Sequence, residues 1–261
     1  MPAHFGATLR VLRTAAGVSA TRLAEGIGVS PAYISRVEHG HDAPPTPDRL
    51  RAIAAELGLG PDRLLALVDC VRPDAVEWLG ESAEGRQLAV ELRRRGLGAA
   101  QLARVIQLVR SEYPVTDRPL ARLFEPGRVL LRVETNDLRR ALEVASLRLG
   151  DGPSSLSLAE ALYASQAARS GAVGAGLLLA HAVAPGAEVR GCLVSLVRPL
   201  TLPTPDGDPI GTIVALVGPA EALTGALIEA TRLAEPALLA RLQSAPDEAA
   251  ALATLGEHRA D

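Results

Sequence analysis

The 261-residue chain reads as a multidomain protein, with an all-α region and a helical spacer followed by an α/β sandwich. Three observations predict this. Apolar residues recur at helical spacing through the first hundred or so positions. Pro114 and Pro119 then interrupt the pattern. From about residue 126, short apolar runs bounded by Gly and Pro alternate with amphipathic stretches, as strands and helices do in a layered α/β fold. The boundaries fall at 1–70, 71–125 and 126–261, and both end regions are long enough to bury a core.

The first helix spans 5–16, with Leu9 and Leu12 inward, Arg10 and Arg13 on the outer side, and Gly17 at its end. Residues 19–40 make two short helices joined by a tight turn. Leu23 and Ala24 face inward from the first. Gly26 and Gly28 permit the turn, and Ile27 and Val29 fill the crevice beneath it. Ser30 caps the second helix and Pro31 takes its first position, where a missing N–H costs nothing. Ile34 and Val37 lie three apart on one inward face. Ala32, Tyr33, Ser35 and Arg36 therefore look outward, the division of labour that a helix-turn-helix needs to read DNA. Thr46 caps a fourth helix that Pro47 starts and Leu50, Ile53, Ala54 and Leu57 anchor. Pro61 opens a short fifth helix with Leu64, Leu65 and Val68.

The motif Leu23-Ala24, Gly28-Val29-Ser30 and Ile34-Ser35-Arg36-Val37-Glu38-His39-Gly40 resembles the lambda-repressor/Cro-like (XRE) family of helix-turn-helix domains. The resemblance covers the whole five-helix region. It implies that the helix from Ser30 to His39 enters the major groove of double-stranded DNA, with Ser30, Ala32, Tyr33, Ser35 and Arg36 at the contact face. Arg13, Ser19 and Thr21 are the candidates for backbone contacts.

Charge does not advertise nucleic-acid binding. All 27 basic residues are arginine, a compositional bias typical of high-GC coding. Residues 1–72 carry 8 Arg against 7 acids, residues 73–125 carry 8 of each, and residues 126–261 carry 11 Arg against 15 acids. A DNA reader so weakly charged must gather its arginines on one face. Cys70 and Cys192 fit no metal or disulfide spacing and read as reduced thiols. His39-Gly40-His41-Asp42 reads as the loop after the second helix of the motif rather than as a metal site. No metal or cofactor is expected. With no long apolar run and no visible signal peptide, a cytoplasmic chain with no membrane partner is expected.

Residues 74–112 carry Leu88, Leu92, Leu102, Val105, Ile106 and Val109 at helical spacing, which suits a dimer spacer. Arg93-Arg94-Arg95 reads as its solvated face. Beyond the linker, Val129 to Val133 is strand-like, and Asn136 to Leu149 and Leu158 to Ala168 are helices. Leu177 to Leu179, Cys192 to Arg198 and Ile210 to Val217 are buried strands. Two helices, Leu223–Leu242 and Asp247–Leu255, close the chain.

A second resemblance rests on Ser170-Gly171-Ala172-Val173-Gly174-Ala175-Gly176 leading into Leu177-Leu178-Leu179-Ala180-His181-Ala182, and on Asp206-Gly207. This order is similar to the fructose/mannitol-type enzyme IIA domain of the bacterial sugar phosphotransferase system, over roughly 126–256. In that family a histidine at this strand end accepts a phosphoryl group from a carrier protein, which here would be His181. A phosphoryl group in transfer needs its charge neutralised. The family's supporting Arg-Glu falls on Ser165 and Gln166. Its Ser-Thr falls on Ser170-Gly171, its turn Asn on Ala175, and the Pro before the histidine on Ala180. The family's second histidine has no counterpart. Arg169, four residues after Ser165, is the one candidate clamp. His181 thus remains open between phosphoacceptor, relic lining a ligand or partner pocket, and plain strand-end residue.

Together the resemblances imply a homodimeric DNA-binding transcription regulator, not an enzyme. Its second domain would sense a small-molecule effector, a partner or a phosphorylation state. The alternative is a phosphocarrier phosphorylated on His181 with an accessory DNA-binding domain.

Overall fold

Capping residues set the helix boundaries of the first sixty positions in the computed structural model. It describes residues 4–60, 64–68, 82–98, 101–102, 104–105, 108, 119–150, 154–168, 170–185 and 188–257. Helix α1 (Phe5–Ala15) starts at His4, whose Nδ1 accepts the Ala7 N–H at 3.4 Å. Helix α2 (Ala20–Gly26) starts at Ser19, whose hydroxyl accepts the Arg22 N–H at 3.0 Å. Helix α3 (Pro31–Glu38) starts at Ser30, which accepts the Tyr33 N–H at 3.2 Å. Each bond satisfies a donor the helix itself cannot. Helix α4 (Pro47–Glu56) differs from expectation: Thr46 holds the cap position but makes no side-chain cap bond. Pro47 takes the first position, where a missing N–H costs nothing, and Asp48 lies against the positive helix end.

Gly28, at φ +69°, makes the α2–α3 turn. Gly6 lets α1 cross the end of α3 in backbone contact, since a Cβ there would lie 2.1 Å from the Val37 carbonyl oxygen. Leu9, Leu12, Leu23, Ile34, Leu50 and Ile53 are fully buried between these helices. The expected fifth helix is seen as Leu64–Leu65 and a 3-10 turn, Ala66–Val68. Pro61 lies outside the described residues.

Helix α5 (Ala83–Arg94) follows Ser82, which accepts the Gly85 N–H. Among the described residues none of this helix is buried, and Leu88 and Val90 are exposed on it. Arg94 and Arg95 pair with Glu91 on its surface. Ile106 and Val109 of the expected spacer lie outside the described residues. A short helix, α6 (Pro119–Leu123), leads into the second half.

There, β1 (Val129–Val133), α7 (Leu138–Leu149), α8 (Ser154–Ala168), β2 (Ala172–Gly174), β3 (Leu177–Val183), β4 (Arg190–Leu200) and β5 (Ile210–Gly218) precede three closing helices. These are α9 (Ala220–Thr231), α10 (Pro236–Ser244) and α11 (Glu248–Glu257). The sheet order is β1-β4-β5-β3-β2. β1 runs parallel to β4 and β3 parallel to β5, while β4–β5 and β2–β3 are antiparallel. Alternation along the strands gives the sheet two buried faces. Leu178, Ala180, Cys192, Val194 and Ile213 pack against Leu142 and Leu149 of α7 and Leu162 of α8. Val173, Leu177, Leu179, Val214 and Leu216 face the other way. Their cluster is continuous with Leu223 and Leu227 of α9 and with the core of the first four helices.

Two elements differ from the sequence reading. The stretch Leu223–Leu242 is not one helix: α9 ends at Thr231 and α10 begins at Pro236. Pro236 has no N–H to continue a helical ladder and instead opens a new one. Ala172–Gly174, which the sequence reading did not mark as a strand, is a short edge strand paired with β3. Among the described residues, no helix is long and apolar enough to cross a membrane.

Candidate nucleic-acid interface

Helix α3 presents two faces. Ile34 and Val37 are buried beneath it, and Ala32, Ser35 and Arg36 are exposed above. Tyr33 is half-buried, with the Arg49 guanidinium of α4 over its ring at 5.3 Å from the centroid. This cation–π contact fixes the ring and places a further positive charge beside the outward face. Sequence reasoning passed over Arg49, because the contact joins two helices far apart in sequence. Arg36 turns its Nε toward both carboxylate oxygens of Asp42, at 3.0 and 3.2 Å. Its side chain keeps 50% of its accessibility in that pair. An exposed ion pair of this kind is worth little and exchanges readily for another anion.

Thr21 is exposed on α2. Ser19 and Ser30 are exposed, with their hydroxyl oxygens engaged in capping. A hydroxyl that accepts an N–H still has a proton to donate, so capping and a phosphate contact are compatible. Ser35 is exposed, and its carbonyl lies 2.7 Å from the His39 ring.

Arg13 corrects the sequence reading. It does not lie on the outer side of α1 but is 2% exposed. Its Nε and Nη2 bond to the two carboxylate oxygens of Glu38, the latter at 2.8 Å, and Nη1 donates to the Val18 carbonyl at 2.8 Å. An arginine enclosed in this way has no reach to a phosphate, so it is a strut between α1 and the end of α3. The signal was present: Arg13 lies four residues after Leu9 and shares its inward face. Arg10, also expected outside, reaches across to the second half and donates to the Ser170 carbonyl at 3.2 Å.

His181 sits on β3 opposite Leu216 of β5, on the sheet face toward α9. Burial holds its pKa below the ordinary histidine value, and its Nδ1 is buried with no hydrogen-bond partner among the described residues. The positions expected to support a phosphoryl group are engaged otherwise. Gln166 donates to the Leu179 carbonyl at 3.1 Å and accepts the Gly171 N–H at 2.7 Å. The Ser165 hydroxyl donates to the Leu162 carbonyl. Ala175 takes φ +53° in the β2–β3 turn, where Asp206 accepts its N–H at 2.6 Å. Arg169, the candidate clamp, lies outside the described residues. Cys192 is buried, with its thiol pushed up to about 12 by that burial, so it is an inert core residue. Cys70 lies outside the described residues.

Residues 4–67 match the family model of the helix-turn-helix domain, the same span that carries the α2–α3 motif. This domain fits a DNA-binding regulator rather than an enzyme. No curated protein matches the chain. Among solved structures, nitrogen regulatory protein IIA-Ntr from Neisseria meningitidis is similar at 24% identity and a TM-score of 0.46, over 52% of this chain and 98% of that one.

Proposed function

We propose that the chain is a sequence-specific transcription regulator of the XRE type. Its α3 reads the major groove, and its α/β region acts as a fructose/mannitol-type IIA-like sensor. The observation that carries this reading is the split of α3 into a fully buried Ile34–Val37 side and an exposed Ala32–Ser35–Arg36 side. It lies inside a segment matched end to end by a helix-turn-helix model. Arg36 on a guanine edge or a phosphate is the principal contact, and Ser19 and Thr21 flank it on the backbone. The unit is a homodimer, since one small reading head covers too little DNA for high specificity. Helix α5 supports this, because Leu88 and Val90 are exposed on it. Residues 1–70, 71–125 and 126–261 serve as reading head, spacer and sensor. The sensor input is a ligand or partner rather than phosphorylation, because Gln166 and Ser165 are committed to backbone partners. Recovery of DNA fragments by the purified chain, followed by sequencing, tests the reading. Enrichment of a shared site that Arg36→Ala abolishes is expected, and recovery of random fragments would contradict it.

A further inference from the structure

Arg36 and Asp42 are brought together by a single turn of backbone. Just after α3, Gly40 at φ +73° folds the chain back. The Arg36 carbonyl then accepts the His41 N–H at 2.8 Å and the Asp42 N–H at 3.4 Å. The residue that carries the guanidinium therefore also anchors the residue that carries the carboxylate. The His39 and His41 rings stack within this turn, with centroids 6.2 Å apart.

The ion pair uses only part of the guanidinium. Both Asp42 carboxylate oxygens accept from one donor, the Arg36 Nε–H, at 3.0 and 3.2 Å. Among the described residues, Nη1 and Nη2 of Arg36 have no hydrogen-bond partner, and the side chain is half exposed. The Nη1–Nη2 edge of a guanidinium is a rigid fork of N–H donors, and it matches the O6 and N7 acceptors of guanine in the major groove.

We propose that Asp42 is a specificity-determining residue, which holds Arg36 by its Nε and directs the Nη1–Nη2 edge onto a guanine rather than a phosphate. The proposal rests on the reading of the chain as a DNA-binding regulator and deepens it. A guanine edge is neutral, so it joins Arg36 without displacing Asp42. A phosphate is an anion, and it meets the Asp42 charge beside the guanidinium that both must share. The pair contributes little while water surrounds it. Where base and side chain shed their water, the carboxylate polarises the guanidinium and strengthens its remaining bonds. It also holds the side chain in one geometry, so less rotamer freedom is lost on binding.

The test uses the full chain and a duplex that the chain itself recovers from a pool of fragments. Each guanine in turn is replaced by 7-deazaguanine, which lacks the N7 acceptor and leaves the charge of the duplex unchanged. Anisotropy at one fixed salt concentration reads the affinity. In the parent chain at least one replacement weakens binding about tenfold, and Arg36→Ala removes that penalty. Asp42→Asn and Asp42→Ser, each checked for an unchanged melting midpoint, bind a scrambled duplex more tightly, because a negative charge beside the phosphates is gone. Both also cut the penalty at the sensitive guanine to about threefold or less, and Asp42→Glu restores part of it. An Asp42 that merely repels DNA would loosen its hold on every duplex alike and leave the penalty intact, which overturns the proposal. A parent chain indifferent to every replacement, or a penalty that survives Arg36→Ala, overturns it as well. Each of these results leaves the regulator reading standing, provided a shared duplex is recovered. Recovery of no shared duplex removes that reading, and this assignment with it.

Discussion

The outward face of α3 and the surroundings of His181 are built on opposite terms. On α3, Arg36 is exposed and held by an ion pair that another anion can replace. At the positions where the resemblance to enzyme IIA puts support for a phosphoryl group on His181, the described polar groups are engaged within the fold. Gln166 closes the Gly171 and Leu179 backbone, Ser165 bonds its own helix, and Asp206 holds Ala175. Donors kept free at an exposed face suit recognition of a polyanion, whereas donors consumed inside a core suit stability. The contrast recurs between the two arginines of the helical region. Arg13 is enclosed with Glu38, and Arg36 is not.

The largest effect should come from the enclosed pair. Glu38→Ala leaves the Arg13 charge buried without its partner, which costs about 3–5 kcal/mol. Chemical denaturation should show the loss, and Asp42→Ala, at the exposed pair, should cost well under ~1 kcal/mol. Equal costs would erase the distinction between strut and reader. A second effect concerns assembly. Leu88→Glu with Val90→Glu removes apolar area worth about 1.5–3 kcal/mol for each side chain buried at an interface. Light scattering at micromolar concentration should show the dimer of the parent chain shifted toward monomer. An unchanged mass would place the interface elsewhere.

Smaller is the effect of pH at His181. Its folded pKa lies below the ordinary 6.5, so the unfolded chain takes up the proton first. Stability is then full above about pH 6.5 and falls as pH drops from there toward the lowered folded value. His181→Gln should flatten this acid-side decline while leaving stability at pH 8 little changed. A decline that is identical in both chains would count against a buried neutral imidazole. The smallest expected signal is phosphorylation itself. Incubation with a phosphorylated carrier protein should give no rapid acid-labile label on the full chain. Stoichiometric label that disappears in His181→Ala would turn the comparison around and favour the phosphocarrier reading.

Much of this was legible because it is local. Ser19, Ser30 and Pro31 announce their helix ends, Gly28 its turn, and the Ile34–Val37 spacing its inner face. What escaped was decided by contacts distant in sequence. Arg13 shares the inward face of Leu9, but the carboxylate that holds its charge there, Glu38, comes from the far end of the motif. The three-residue strand β2 is too short to show alternation, and it exists because β3 pairs with it. The division of Leu223–Leu242 was signalled by Pro236, which an apolar stripe on both sides obscured. A cavity of about 740 Å³ between the start of α1 and the β2–β3 turn could not be anticipated, since its described lining comes from six separated segments.

The central claim is that Arg36 reads DNA from α3. Fluorescence anisotropy with a DNA fragment recovered by the chain and a scrambled duplex of equal length, at one fixed salt concentration, tests it most directly. The parent chain should prefer the recovered site, and Arg36→Ala should lose about 1–3 kcal/mol of that preference while the scrambled duplex binds nearly as before. A preference left intact in Arg36→Ala would contradict the account.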